Sequence, residues 1–446
     1  MIAEPTRQLS LFDAVCIIVG IVIGAGIYET APVIAEALGT PDRILLFWLL
    51  GGFLSLIGAL CYAEISSTCP EAGGDYAFLN RAYGKRIGFL FAWSSFWVVR
   101  PANIGAVAYI FAHYAADILP LYRGSRDLTI SAVAAVLILS AVNLLGVQSG
   151  KWTQNVLTVL KVVGLLLIIA FGLCIATPTP VEVAVDQRAA GSNYYLALIL
   201  VLFTYGGWNN IAYVAVEVRR PTENILRSLV LGVSLITLLY IFINLAFLKV
   251  LGLPGMVASD SVASDMLRVM GGTGMALFIS VLICVTCLGS INGMLLTESR
   301  IYYALGREYR VLDFLGRWHP RLDTPVWSLT LQAAICLAMI ILLGGNAAAF
   351  ERLVVLSAPL FWFFVLLVSL SLFQFRRRQS QSAGVYRVPC YPWLPLLFVA
   401  SNLFILYASL AYAWQQRYVE IFWVAIVLIS GLLASLFRTR EYRMNK

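Results

Sequence analysis

The chain has 446 residues, 61% of them hydrophobic and only 12% charged, with a mean hydropathy of +0.86. An average soluble domain carries roughly 25% charged residues, and no folded domain of this length can hide so large an apolar excess from water. A soluble enzyme, a disordered chain and a secreted disulfide scaffold are therefore excluded. The net charge of +8 does not mark a nucleic-acid binder either, because Lys and Arg sit in short connectors between apolar runs and form no basic face.

A membrane helix needs roughly 20 apolar residues. Apolar runs bounded by Pro, Gly and charge predict about twelve spans. In chain order they lie near residues 11–37, 43–68, 84–117, 128–146, 153–176, 193–217, 228–252, 271–300, 325–343, 352–375, 391–414 and 418–437. The first carries Glu29 and Glu36 and runs straight into further spans, unlike a cleaved leader. With the N-terminus inside, 21 of the 31 Lys and Arg fall on inner connectors and eight on outer ones, leaving Arg100 and Lys161 within spans. That asymmetry places both termini in the cytoplasm of a multi-pass protein in the cell membrane. The expected organisation is a single transmembrane domain over 1–437, with five spans in 11–176, five in 193–375 and two in 391–437. Residues 438–446 are expected as a short cytoplasmic tail.

Cys16, Cys61, Cys174, Cys284, Cys287 and Cys336 lie inside apolar runs, and Cys284 and Cys287 are three apart. In a membrane helix that spacing reads as packing rather than ligation, and the chain has only two His. No metal or other cofactor is expected.

Two glycine clusters stand apart from ordinary close-packing glycines. Gly20-Ile21-Val22-Ile23-Gly24-Ala25-Gly26-Ile27 falls in the middle of the first span, and Phe203-Thr204-Tyr205-Gly206-Gly207-Trp208-Asn209-Asn210 in the middle of the sixth. Both permit local unwinding, which exposes backbone groups that lipid cannot satisfy. Interrupted helices at corresponding places in two halves point to a transporter site; helix-crossing contacts are the alternative. Amides of Ala25, Gly26 and Ile27, at the start of a half-helix, suit a carboxylate. Unwound carbonyls of Val22, Phe203, Thr204 and Gly206 suit an ammonium. A zwitterionic amino acid supplies both groups.

At these residues the chain resembles a known family. Ile18-Val19-Gly20-Ile21-Val22-Ile23-Gly24-Ala25-Gly26-Ile27-Tyr28 resembles the opening helix of the amino acid–polyamine–organocation superfamily. Tyr62-Ala63-Glu64-Ile65 and Gly73-Gly74-Asp75-Tyr76 are similar to its L-type amino acid transporter branch. Arg100-Pro101-Ala102, the Phe203–Asn209 run and His319-Pro320-Arg321-Leu322-Asp323-Thr324-Pro325 follow in the same order. The resemblance implies an all-α polytopic fold of the LeuT type: a 5+5 inverted repeat, two extra C-terminal helices and amino acid transport by alternating access. It maps the carboxylate onto Ala25, Gly26 and Ile27, the amine onto Val22, Phe203, Thr204 and Gly206, and an outer gate onto the Phe203 side chain. Ala25 stands where a Ser is frequent, which removes a hydroxyl contact. The outer loop from Ile118 to Leu128 lacks the Cys through which eukaryotic members bond an accessory heavy chain, so no disulfide-linked partner is expected.

Ionisable residues at membrane depth are functional candidates. Lys161 lies well inside the fifth span; the resemblance implies that its ammonium stands where sodium-coupled relatives hold sodium, with snorkelling as the alternative. Counting about 1.5 Å per residue from 84 puts Arg100 beyond the membrane middle, towards the outside. There it either braces neighbouring spans or serves in gating beside Glu29. Glu217, next to Arg219 and Arg220, is expected in an inner ion pair or a surface pair. Neither 17–28 nor 203–210 contains an acid, which favours neutral side chains in the substrate, with Thr204, Trp208 and Asn209 shaping the pocket. The resulting expectation is a sodium-independent permease or exchanger for neutral L-amino acids. Proton-coupled symport and amine transport within the same superfamily remain the alternatives. No HExxH, GxSxG or paired-carboxylate constellation supports an intramembrane enzyme, and no repeated pore loop supports a channel.

Overall fold

The computed structural model describes residues 4–119, 124–175, 193–259, 261–271, 273–343, 349–378, 385–416 and 418–436. The expected tail 438–446, and Arg123 and Arg188 of the outer connectors, lie outside them. The described chain is helical, and the only pairings of strand type are isolated bridges at Leu9–Val218 and His319–Thr324.

The first span is interrupted: α1 (Leu11–Val22), α2 (Gly26–Glu29) and α3 (Ala31–Leu38) follow one another. Ser10 starts α1 with a reciprocal cap, its hydroxyl accepting from the Asp13 amide while the Asp13 carboxylate accepts from the Ser10 amide. Gly39, at φ 68°, closes α3. α4 (Pro41–Thr68) is the second span, and α5 (Asp75–Tyr83) an unpredicted short helix in the connector. The third span is α6 (Lys85–Ser94), a π-helical turn over Ser95–Val99, and α7 (Arg100–Ile118). Pro101 has no amide to offer the preceding turn, and the Arg100 amide reaches back to the Ser95 carbonyl.

α8 (Ser125–Leu144) and α9 (Val147–Ala170) complete the first set. The sixth span is again interrupted, as α10 (Tyr194–Thr204) and a 3-10 helix over Trp208–Glu217. Then come α11 (Pro221–Val257), the short α12 (Val262–Gly271), α13 (Thr273–Glu308), α14 (Val326–Leu343), α15 (Ala349–Arg378), α16 (Trp393–Gln416) and α17 (Tyr418–Leu436). At about 1.5 Å per residue, the 36 residues of α13 outrun the roughly 30 Å hydrocarbon core. Among the described residues nine helices are long and apolar enough to cross a membrane; α14 and α17 are shorter in their apolar stretch, and the third span is broken by its π turn. The protein is an all-α, multi-pass membrane protein.

Packing organises these helices around α1. It touches α9, α11, α13 and the 3-10 segment of the sixth span, while α4 lies along α11, α7 along α13, and α8 along α14. α16 and α17 sit outside this group against α15, α4 and α6. The interrupted segments are thereby placed side by side in the middle of the bundle.

Candidate functional site

α1 ends at Val22 because the next amides turn away from the helix. Ile23 still bonds to Val19 O at 3.0 Å, but Gly24 bonds to Val22 O, two residues back, at 2.8 Å. The amides of Ala25, Gly26 and Ile27 have no protein acceptor among the described residues, and α2 resumes with Tyr28 and Glu29 bonding to Ala25 O. Three adjacent donors thus point out of a broken span.

The carbonyls on the other side of the break are claimed by Lys161. Its fully buried ammonium donates to Gly20 O at 2.8 Å, Ile23 O at 2.9 Å and, across on α13, Thr286 O at 3.0 Å. The Ser290 hydroxyl also lies within 3.1–3.5 Å of the Gly20, Ile21 and Ile23 carbonyls. Gly289 makes room for the ammonium: a Cβ there would stand 2.9 Å from Lys161 Nζ. Lys161 Nζ is thus held by three backbone carbonyls inside the bundle, and its burial rules out snorkelling to the surface.

The second break begins where α10 stops at Thr204. Gly206 bonds back to Phe203 O at 2.9 Å, and Gly207 adopts φ 107°, a left-handed conformation that favours glycine. A Cβ on Gly207 would also lie 2.7 Å from Ile21 Cγ2, so the two breaks approach here backbone to side chain. Two further ties join them. The Tyr240 hydroxyl lies 3.0 Å from Val22 O and 3.3 Å from Thr204 O. The Thr30 hydroxyl, which donates to Gly26 O at 2.7 Å, is 3.2 Å from the Thr204 hydroxyl.

Gly26 and Thr204 therefore meet in the crevice between the two breaks, with Ala25 and Ile27 beside Gly26 and Phe203 beside Thr204 in the chain, whereas Gly206 lines a neighbouring cavity with Trp208 and Asn209. Gly24, Gly26, Gly206 and Gly207 keep partial exposure, and Phe203 stands 38% exposed on the α10 side of the break. Val22 is at the crevice, but its carbonyl already accepts from Gly24 and Tyr240, which fills both lone pairs. Asn209 is turned away: its amide nitrogen reaches Asp75 Oδ2 at 3.4 Å and the Tyr213 hydroxyl at 3.5 Å. Tyr240, Thr30, Thr286 and Ser290 were not singled out in the sequence, since lone hydroxyls in apolar helices give no pattern until the helices meet.

A group of buried charges lies on the side nearest the N-terminal segment. Arg100 donates to Glu298 Oε1 at 2.9 Å and to the Tyr213 hydroxyl at 2.6 Å, and the same hydroxyl bonds Asp75 at 2.6 Å. Asp75 belongs to α5, in the connector between the second and third spans, so Arg100 lies on that face and not beside Glu29. The start of the third span packs on α5, with Gly88 close to Asn80. Glu29 instead accepts from Tyr114 at 3.0 Å. Glu217 pairs bidentately with Arg300 at 2.8 and 2.9 Å, both buried, rather than with Arg219 or Arg220. Leu9 clamps the same point, its amide bonding Glu217 O at 2.9 Å.

A family model described as amino acid permease matches residues 9–432. The chain belongs to this family. The serine/threonine exchanger SteT of Bacillus subtilis (strain 168) is 31% identical over 412 residues, 91% of each chain. The b(0,+)-type amino acid transporter 1 of Homo sapiens is 28% identical over 96% of this chain and 87% of its own length. The large neutral amino acids transporter small subunit 2 of Homo sapiens is 30% identical over 75% of this chain and 64% of its own. This permease is thus an L-type-like member of the amino acid–polyamine–organocation superfamily, a transporter of amino acids and not an enzyme.

Proposed function

We propose that the permease is a sodium-independent secondary transporter of neutral L-amino acids, working by alternating access in the cell membrane with both termini cytoplasmic. The observation that carries this reading is the Lys161 ammonium held by the Gly20, Ile23 and Thr286 carbonyls. A sodium ion needs the same kind of oxygen cage. A second unit charge at about 4 Å would be repelled by about 4 kcal/mol at an effective dielectric near 20, so one positive centre excludes the other.

The substrate reading rests on the crevice. The amides of Ala25, Gly26 and Ile27 take the α-carboxylate, while the Phe203, Thr204 and Gly206 carbonyls take the α-ammonium. The Val22 carbonyl joins them only if substrate displaces Tyr240. With Asn209 turned into the Asp75 network, Thr204 and the Phe203 ring remain to face the substrate, Phe203 as gate. No acid lies within either break, so a cationic side chain finds no counter-charge there.

Pairing of the first four spans with the spans five later in sequence supports a twelve-span 5+5 inverted repeat with two trailing helices. The Glu217–Arg300 and Arg100–Glu298 pairs, with the Leu9 clamp, form the closed gate on the cytoplasmic side. Arg100 thereby acts in gating from the inside. Exchange, coupling efflux of one amino acid to uptake of another, is the favoured mode, and no disulfide-linked heavy chain is involved. Uptake of a labelled neutral amino acid into proteoliposomes tests the reading. It should rise when the lumen is loaded with unlabelled amino acid and stay unchanged when sodium replaces choline. Sodium-stimulated uptake would overturn it, and stimulation by a proton gradient with an empty lumen would replace exchange by symport.

A further inference from the structure

At the end of the bundle that carries the Glu217–Arg300 pair, away from the crevice, lies a cavity of about 270 Å³ between α4, α15 and the segment leading into α16. Glu64 and Arg376 form its floor. Arg376 reaches Glu64 through two hydrogen bonds of 2.6 Å, the Val388 amide adds a third to the same carboxylate at 2.7 Å, and the Arg376 guanidinium stacks 4.0 Å from the Tyr391 ring centre. Arg376 also donates to the Val388 carbonyl at 3.1 Å, so the pair is committed to each other and to this segment. Two more arginines, Arg377 and Arg387, line the cavity. Three arginines and one carboxylate therefore line the cavity, and Arg387 already has a further interaction of its own. Arg377 is exposed, at the end of α15, and has no bonded partner among the described residues.

The rest of the lining is largely apolar, with Ile65, Leu372, Phe375 and Val385. α4 ends at Thr68 and α15 at Arg378, so the cavity sits where both helices leave the bilayer. Exposed Tyr83, Tyr391 and Trp393 near these helix ends mark the same level, as amphipathic rings do at a membrane–water interface. A basic rim over an apolar wall at that depth matches a ligand with an anionic head and an apolar body. Basic pockets between membrane helices on the cytoplasmic side take such headgroups, and the planar donor fork of Arg fits phosphate oxygens in pairs.

We propose that this cavity binds the phosphate headgroup of an anionic phospholipid from the adjoining leaflet, with Arg377 and Arg387 as the contacting groups and Arg376 held in place by Glu64. Bound there, the lipid would join α4 and α15 to the segment leading into α16.

The test uses the full chain, purified in neutral detergent and titrated separately with phosphatidylglycerol, phosphatidylcholine and inorganic phosphate, with the thermal unfolding midpoint as readout. Phosphatidylglycerol should raise the midpoint at lower concentration than phosphatidylcholine, and inorganic phosphate should not reproduce the effect. Arginines near a charged headgroup each contribute about 1 kcal/mol, so Arg377→Gln with Arg387→Gln should weaken the phosphatidylglycerol response roughly 30-fold. Arg377→Gln alone, at an exposed position, should weaken it about fivefold and guards against misfolding of the double variant. Arg310→Gln, an exposed arginine outside the cavity, should leave it unchanged. Equal responses to the two lipids, an unchanged preference in Arg377→Gln, or an equal loss in Arg310→Gln would overturn the proposal. Inorganic phosphate competing as well as the lipid would assign the cavity to a soluble anion and overturn it as well.

Discussion

Lys161→Met separates charge from volume at the centre of the bundle. The native ammonium makes three hydrogen bonds of 2.8–3.0 Å. Bonds to a charged donor contribute about 1.5–3 kcal/mol each, so roughly 5–9 kcal/mol of gross interaction is lost. Removing the ammonium also removes a burial penalty of several kcal/mol. The carbonyls are not all orphaned, since the Ser290 hydroxyl stays within 3.1–3.5 Å of Gly20 O, Ile23 O and Thr286 O. Met fills the space of the lysine stem and avoids the cavity cost of about 2–5 kcal/mol that Ala would add. Net stability should therefore fall by no more than about 2 kcal/mol. Transport should suffer more, because those three bonds fix the geometry of the first break. A tenfold loss in turnover corresponds to only about 1.4 kcal/mol, less than one such bond. Exchange in proteoliposomes, read beside a thermal melt, should show at least that loss in a folded protein. Turnover near the parent level would refute the structural role of the cation.

Three further outcomes follow from the geometry. A Cβ on Gly26 would meet Thr204 at 3.4–3.5 Å, which is ordinary contact; Gly26→Ala should retain measurable uptake, whereas the branched Gly26→Val should lose most of it while still inserting in the membrane. Tyr240→Phe deletes the hydroxyl shared by Val22 O and Thr204 O, and a loss of about 0.5–1.5 kcal/mol per bond predicts a change in half-saturation of about threefold to tenfold at nearly constant expression. Arg300→Met leaves the Glu217 carboxylate buried without its partner, a cost of about 3–5 kcal/mol to this packing, so thiol labelling of a cysteine introduced at Leu9 should speed up in Arg300→Met relative to the otherwise native protein if the pair is the proposed gate.

Much of this site was legible in the sequence. Glycines placed mid-span at 20–26 and 206–207 located both breaks, because a membrane helix has no other cheap way to expose its backbone. The apolar depth of Lys161 identified it before any partner was known. Arg100 meets Glu298 and Tyr213 rather than Glu29, because residue counting gives position along a span and not which neighbours its side chain faces, and the π-helical turn before Pro101 shifts that facing. Asn209, expected to shape the substrate pocket, instead reaches Asp75 and Tyr213, and Glu217 pairs with Arg300 rather than with its sequence neighbours. Whether a side chain at a span end faces Arg219 or Arg300 depends on the rotation of the 3-10 helix, and periodicity of 3.6 does not foretell that. Tyr240 lies on α11, whose apolar pattern gives its hydroxyl no distinction until the two breaks converge on it. α5 and α12, short and mixed in composition, fell below the length that a span search recognises.

The central claim is that backbone groups of two broken helices read the α-carboxylate and α-ammonium of one amino acid. Competition against labelled neutral amino acid uptake in proteoliposomes tests it most directly, using the parent L-amino acid, its methyl ester, its N-acetyl derivative and the decarboxylated amine. Only the unmodified L-amino acid should compete. An amine lacking the carboxylate that competed as well as its parent would contradict the assignment of Ala25, Gly26 and Ile27, and with it the account of the site.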